Sequence, residues 1–246
     1  MRKGCAKSLN LSTAVVLAGG RGLRLAPLTD SLPKALLRIR SKPLLEWVIE
    51  WLVENDVRNL VIGVAYEKEK IMDHFGDGDR LGVRIRYSVH SVEGGTAEGF
   101  RKAIERYVDD KIFLAMNGDE LSNLRVAKLL GLHLNSGALA TIAVTQLKSP
   151  FGIVKLDSSQ RVTSFEEKAS IPEAYVSIGT YAFEREILDY IPKNGDIERT
   201  TFPLLAGMNK LQAYRHDGFW MTINNLKELQ EAEESVQRIF PKAARY

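Results

Sequence analysis

At 246 residues, 45% apolar and 26% charged, the chain can bury a sizeable core without disulfides or structural metal. A single cysteine (Cys5) excludes an internal bridge, and four histidines (His74, His90, His133, His216) without ligand spacing argue against zinc. The net charge of +3 suits an acidic small-molecule substrate but falls short of a nucleic-acid binder's basic stripe, and no apolar run approaches the ~20 residues of a membrane span. Residues 1–12 lack the apolar stretch of a secretory signal and read as a flexible tail, or equally a docking arm, before one domain over 13–246. A reducing cytoplasm is the expected location.

Thr13–Ala18 is a β-branched apolar run ending in Gly19-Gly20, which reads as a buried strand meeting a tight turn. Ser41-Lys42-Pro43 opens a helix, with Ser41 as its expected cap, and Leu44, Leu45, Trp47, Val48, Trp51 and Leu52 give that helix one buried face. Leu60–Ala65 and Val83–Val89 read as strands, with a charged helix near Glu67–Phe75 between them. Thr96–Val108 reads helical, and Lys111–Met116 is an apolar strand ending at Asn117-Gly118-Asp119. Strands alternating with helices imply a mostly parallel, doubly wound α/β sheet, whose ligand crevice lies beyond the strands' carboxyl ends.

The second half changes texture. Ala138–Gln146, Gly152–Asp157, Val162–Glu166 and Tyr175–Phe183 are strand-like, and helices are expected at Glu184–Tyr190, Ile197–Gly207 and Asn225–Ile239. These make a β-rich half built onto the same sheet. The last helix carries Leu226, Leu229, Val236 and Ile239, for which internal packing is the default and a partner the alternative.

Chemistry concentrates in Leu17–Leu37, LAGGRGLRLAPLTDSLPKALL. Gly19, Gly20 and Gly22 let backbone N–H groups approach phosphate oxygens, Arg24 can fork across two of them, and Lys34 adds a point charge. Read alone, Gly19–Gly22 is as well explained by an ordinary glycine turn followed by surface cations. The pattern is neither the dinucleotide fingerprint nor the P-loop. The whole stretch resembles the signature of sugar-phosphate nucleotidyltransferases, LAGGxGTRLxPLTxxxPKxL, with Leu23 in place of its threonine.

The resemblance runs from about residue 13 to 235. It implies an enzyme that joins a nucleoside triphosphate to a sugar 1-phosphate and releases pyrophosphate. Gly95-Thr96-Ala97-Glu98 resembles the GTAxA element that lies against the nucleobase, with Leu17 and Ala18 completing the implied nucleotide site. His90 sits where relatives can place a base-reading side chain, although a solvated histidine explains it as well. Asn117-Gly118-Asp119 resembles xGD, whose aspartate binds magnesium, whereas alone it would read as a turn. Phe151-Gly152-Ile153-Val154 and Phe165-Glu166-Glu167-Lys168 resemble (Y/F)GVV and FxEKP, which assigns Gly152 and Glu167 to the sugar and Lys168 to its phosphate. Gly179, in Ser177-Ile178-Gly179-Thr180-Tyr181, matches NxGxY with serine for asparagine; Asp196-Ile197-Glu198 matches a helix-opening element that capping explains equally well.

One element departs. Family members carry WxDxGT, whose aspartate is a second magnesium ligand; here Thr222 stands at that position and Asn224 at the alternative used by some cytidylyltransferase relatives. Magnesium needs only one or two carboxylates plus substrate phosphates, so Asp119 with a neutral oxygen from Asn224 is expected to support activity with altered or weaker metal dependence. Arg24, Lys34 and Asp119 are the expected catalytic residues, Mg2+ the cofactor, and self-association is a common habit of relatives. Two alternatives stay open: a regulatory homologue that binds nucleotide-sugar without turnover, and a same-fold enzyme activating a non-sugar phosphate such as phosphocholine.

Overall fold

The computed structural model describes residues 13–240, so the expected tail at 1–12 lies outside the described residues. The first half runs β1 (Thr13–Leu17), the two-residue strands β2 (Arg38–Ile39) and β3 (Lys42–Pro43), α1 (Leu44–Glu54), β4 (Asn59–Val64), α2 (Lys68–Phe75), β5 (Arg84–Val89), α3 (Gly95–Tyr107) and β6 (Ile112–Asn117). There follow β7 (Glu120–Ser122), α4 (Val126–Ser136), β8 (Ala140–Lys148), β9 (Ile153–Leu156), β10 (Val162–Glu166), β11 (Ser170–Glu184), α5 (Thr201–Gly207), β12 (Leu211–Arg215), β13 (Trp220–Thr222) and α6 (Leu226–Ile239).

The central sheet has seven strands in the order β12-β8-β11-β6-β1-β4-β5. Only β11 runs against the others: it pairs antiparallel with β6 and β8, while every other neighbouring pair is parallel. Alternate residues of one strand enter different cores, as the two-residue period of a strand requires. Val16 and Met116 join α1, α2, α4 and α6 on one face. Val15 and Phe113 join α3 and α5 on the other. Burial on both faces is why β1 and β4 are continuous apolar runs, and it makes the sheet doubly wound. The β-rich half is part of the same sheet through β8, β11 and β12, and the hairpin β9–β10 stands apart as a separate exposed ribbon.

Most expected elements form within a residue or two of their anticipated ends. Ser41, however, does not cap α1; the N-cap is Pro43, without a side-chain hydrogen bond. The cause is the β2–β3 ribbon, which pairs Ile39 with Lys42 and leaves Ser41 in its turn. A helix-terminal donor is met instead by backbone, Leu44 N to Leu37 O at 2.8 Å. Arg185–Tyr190 winds as a 3-10 turn, and α5 starts only at Thr201. Six elements were not anticipated: β2, β3, β7, β12, β13 and α4. The last carried its signal in Val126, Leu129, Leu130 and His133, all buried at helical spacing. Val236 of α6 is fully buried and Leu229 and Ile239 pack on the same core, while Leu226 at the start of the helix stays exposed.

His133 is 1% exposed, and its Nδ1 lies 2.8 Å from Thr141 Oγ1. Burial pushes its pKa down from 6.5 to about 4. The unfolded chain therefore takes up a proton that the folded chain resists. The stability contributed by the neutral ring is complete above pH 6.5 and is lost as the pH falls from 6.5 to about 4. The urea midpoint of the native chain should fall more steeply across that window than that of His133→Gln. Equal slopes would place the acid sensitivity elsewhere.

Candidate active site

The carboxyl ends of β1 and β6 open on one cleft of about 300 Å³, lined by Leu17, Ala18, Gly19, Gly20, Lys34, His90, Gly95, Thr96, Gly118, Asp119 and Asp196 among others. A second hollow continues it outward along Gly20, Gly22, Arg24, Lys34, Asp119 and Asn224. The expected nucleotide, catalytic and metal residues, from Leu17 to Asn224, thus share one continuous cleft.

The glycine loop is fixed at its ends and open in its middle. Ala18 N donates to Gly63 O at 2.7 Å and Tyr66 N to Gly19 O at 3.2 Å. Thr29 Oγ1 and Leu25 N both donate to Gly22 O at 2.8 Å. Between these ties, the N–H groups of Gly19, Gly20, Arg21 and Gly22 have no protein acceptor among the described residues. A row of free backbone donors at a strand end is an anion cradle.

Lys34 stands on a short 3-10 turn and is 8% exposed. Its ammonium donates to Asp119 Oδ2 at 2.5 Å and to Asn224 Oδ1 at 3.1 Å. Asn224 is oriented from behind, because its Nδ2 donates to Thr222 Oγ1 at 2.8 Å and its backbone N to Glu228 Oε2 at 2.6 Å. Two side-chain oxygens therefore converge on one cation already. That donor set, one carboxylate and one neutral carbonyl facing the phosphate loop, fits a hard divalent ion that completes its shell with water and substrate oxygens. No group of three or more acidic, histidine or cysteine side chains able to hold a metal occurs among the described residues.

Glu120 was missed by the sequence reading. It sits behind Asp119, where burial first, and the Asp119 charge second, push its pKa up to about 7. Trp220 Nε1 donates to its Oε2 at 2.5 Å. β13 lies antiparallel on β7 with Thr222 opposite Glu120, so the position that lacks the family's aspartate is the cross-strand neighbour of a buried carboxyl. Gly179 crosses directly above with φ +62°, and a Cβ there would come within 2.5 Å of Glu120 Oε1. Both the left-handed backbone and the close approach require glycine.

The far end of the cleft is clamped by the segment before α5. Ala97 N donates to Gly195 O at 2.8 Å and Gly195 N to Gly94 O at 2.9 Å. Thr96 Oγ1 donates to Glu198 Oε2 at 2.8 Å and accepts from Ile197 N at 3.0 Å. Capping is thus not what Asp196-Ile197-Glu198 does; it braces the Gly94–Thr96 turn, and Asp196 joins the cleft wall. His90 is half-buried in space left by Gly19, Gly63 and Gly99, and burial lowers its pKa. Its Nδ1 faces Ser91 O at 2.9 Å, and its Nε2 is buried without a partner. Glu98 holds the neighbouring loop through Ser91 N at 3.0 Å, and its bond from Lys102 keeps its carboxyl down near 2.

Gly152, Glu167 and Lys168 are brought together on the β9–β10 hairpin but line neither part of the cleft. The ring of Phe165 covers Gly152, and Glu167 and Lys168 are exposed. No helix among the described residues is long and apolar enough to cross a membrane.

A family model described as nucleotidyl transferase matches residues 13–238. The chain is 32% identical to a UTP–glucose-1-phosphate uridylyltransferase of Synechocystis sp., over 91% of this chain and 63% of that protein. It is 31% identical to a mannose-1-phosphate guanylyltransferase of Mycobacterium tuberculosis, over 94% of this chain and 66% of that protein. It therefore spans somewhat under two thirds of the length of these relatives. Among solved structures, HddC from Yersinia pseudotuberculosis shares the fold with a TM-score of 0.73 at 22% identity, covering 92% of this chain and 99% of that one. A cleft of free glycine amides, a buried lysine and a strand-end aspartate, carried by a sheet of this order and matched over 13–238, settles the lineage: the chain belongs to the nucleotidyl transferase family.

Proposed function

We propose that this chain catalyses nucleotidyl transfer from a nucleoside triphosphate to a sugar 1-phosphate. A phosphate oxygen of the sugar 1-phosphate attacks the α-phosphorus, the bond to the β-phosphate breaks, and pyrophosphate leaves as NDP-sugar forms. The observation that carries this reading is the meeting of the free glycine-loop amides with Lys34 and Asp119 at the carboxyl ends of β1 and β6.

Positioning and charge stabilisation are enough for such a step, with no covalent intermediate. The amides of Gly19, Gly20 and Gly22 cradle the triphosphate, and Arg24 forks onto oxygens that gain charge as pyrophosphate departs. Lys34 is near enough to Asp119 to hand its ammonium to the α-phosphate when substrate enters. Asp119 and Asn224 would hold a magnesium ion, which when bound shares charge with the phosphate oxygens. Gly179, packed against Glu120 behind Asp119, takes its sugar role from the NxGxY motif it matches. For Gly152, Glu167 and Lys168 the sugar role rests on their motifs alone, since the hairpin that carries them lies off the cleft.

The relatives named above are specified for glucose 1-phosphate with UTP and for mannose 1-phosphate, and the sugar of this chain is sought among such hexose phosphates. Pyrophosphate release should be measured with magnesium over a grid of four NTPs and several sugar 1-phosphates. One strongly preferred pair is the expected result. Silence across the grid with nucleotide still bound would instead identify a binding homologue.

A further inference from the structure

Resting on the nucleotidyl-transfer reading, we infer that the nucleotide is a guanine nucleotide, selected by the Asp196 carboxylate. The wall at the Gly95 end of the cleft sets the Asp196 carboxylate beside the backbone N–H groups of Gly95 and Thr96 at the start of α3, which are unpaired among the described residues. Asp196 Oδ1 lies over Gly95: a Cβ on Gly95, whose φ is +65°, would come within 2.8 Å of it. The same carboxylate reaches Arg199 Nε only at 3.7 Å, in an exposed pair, which leaves it free to accept. The Thr96 hydroxyl adds no donor, since its proton goes to Glu198 and its lone pair to Ile197 N, and a backbone N–H here can donate to guanine O6 beside N1–H. Among the described lining residues, Lys34 alone is a cation, and it is committed to the phosphate end. His90 offers the base no acceptor, because its Nδ1 faces a carbonyl and its Nε2 is buried among Gly19, Gly63 and Gly99.

A carboxylate has two acceptor oxygens side by side and no donor. It pairs best with two adjacent donors, and among the common bases only guanine offers them, at N1–H and the 2-amino group. Uracil presents one N–H between two carbonyls, which an anion repels. Cytosine and adenine each set one amino group beside a ring acceptor. Val92 and the aliphatic Leu17 and Ala18 supply apolar surface for the ring faces, without preference among bases.

The alternative for a carboxylate here is the ribose, whose hydroxyls every nucleotide carries. That would make Asp196 indifferent to the base. Inosine triphosphate separates the two roles, because it keeps N1–H and lacks only the 2-amino group.

The experiment is direct binding by calorimetry of GTP, ITP, UTP, CTP and ATP with magnesium, on the native chain and on Asp196→Asn, beside the pyrophosphate assay. GTP is expected to bind at least about tenfold more tightly than the other common nucleotides and about tenfold more tightly than ITP. In Asp196→Asn the GTP-to-ITP ratio should fall to about one, because the amide cannot accept both protons. Equal weakening of all nucleotides in the variant, a native preference for another base, or an unchanged GTP-to-ITP ratio would each overturn the guanine assignment. Because the native chain alone gives the GTP-to-ITP ratio, an unstable variant does not remove the test. Guanine-selective binding without turnover would sink the transferase reading and keep this one; turnover with another base would do the reverse.

Discussion

Asp119→Asn is expected to lower turnover at least about 100-fold while leaving the fold intact. The substitution is isosteric, and the side chain is one-third exposed at the tip of β6 rather than in either core. An amide at this position still accepts from Lys34, so the lysine stays placed. What disappears is the negative charge. Asp119 is the carboxylate that faces Lys34 and Asn224 in the cleft, and Asn224 opposite it is neutral. Glu120 does not substitute for it, because its carboxyl sits behind Asp119 and is engaged by Trp220. Turnover at saturating substrates, titrated with magnesium, reads the loss, and a thermal melt checks the fold. Turnover within a few-fold of native at ordinary magnesium would remove Asp119 from the metal.

What the sequence discloses and what it hides follow from how local each cause is. The glycine loop is legible because its chemistry is that of the backbone: glycines after an apolar strand leave amides free wherever the rest of the chain goes. The strand Ser170–Glu184 is legible as a strand, but its reversed direction is set by β6 and β8, remote in sequence. Glu120 follows Asp119 immediately and looks like a second solvated acid. Its burial is imposed by Trp220, a hundred positions downstream. Asp196 reads as a helix cap because the helix begins nearby, yet its segment is spoken for by the turn at Gly94–Thr96, again a hundred positions away. The motif around Glu167 and Lys168 is plain in sequence. Its distance from the cleft depends on how a two-stranded ribbon leans, which no local pattern encodes.

Arg24→Ala is expected to cost about 10²–10³-fold in kcat/KM. The melting temperature should hardly move, since exposed side chains away from caps and networks are worth within about 0.5 kcal/mol. Arg24 is exposed and has no hydrogen-bond or ion-pair partner among the described residues. Its neighbour Leu25 is fully buried and anchors the turn, which Leu25 N and Thr29 Oγ1 tie to Gly22 O at 2.8 Å. The loop therefore presents a guanidinium to the cleft without needing it for its own shape. Such a group does little in the free protein and most when phosphate charge develops beside it, so its removal falls on catalysis. Arg24→Lys should recover only part of the loss, because an ammonium keeps the charge but cannot fork across two oxygens. A fall in melting temperature that parallels the loss of rate would show instead that the arginine holds the loop.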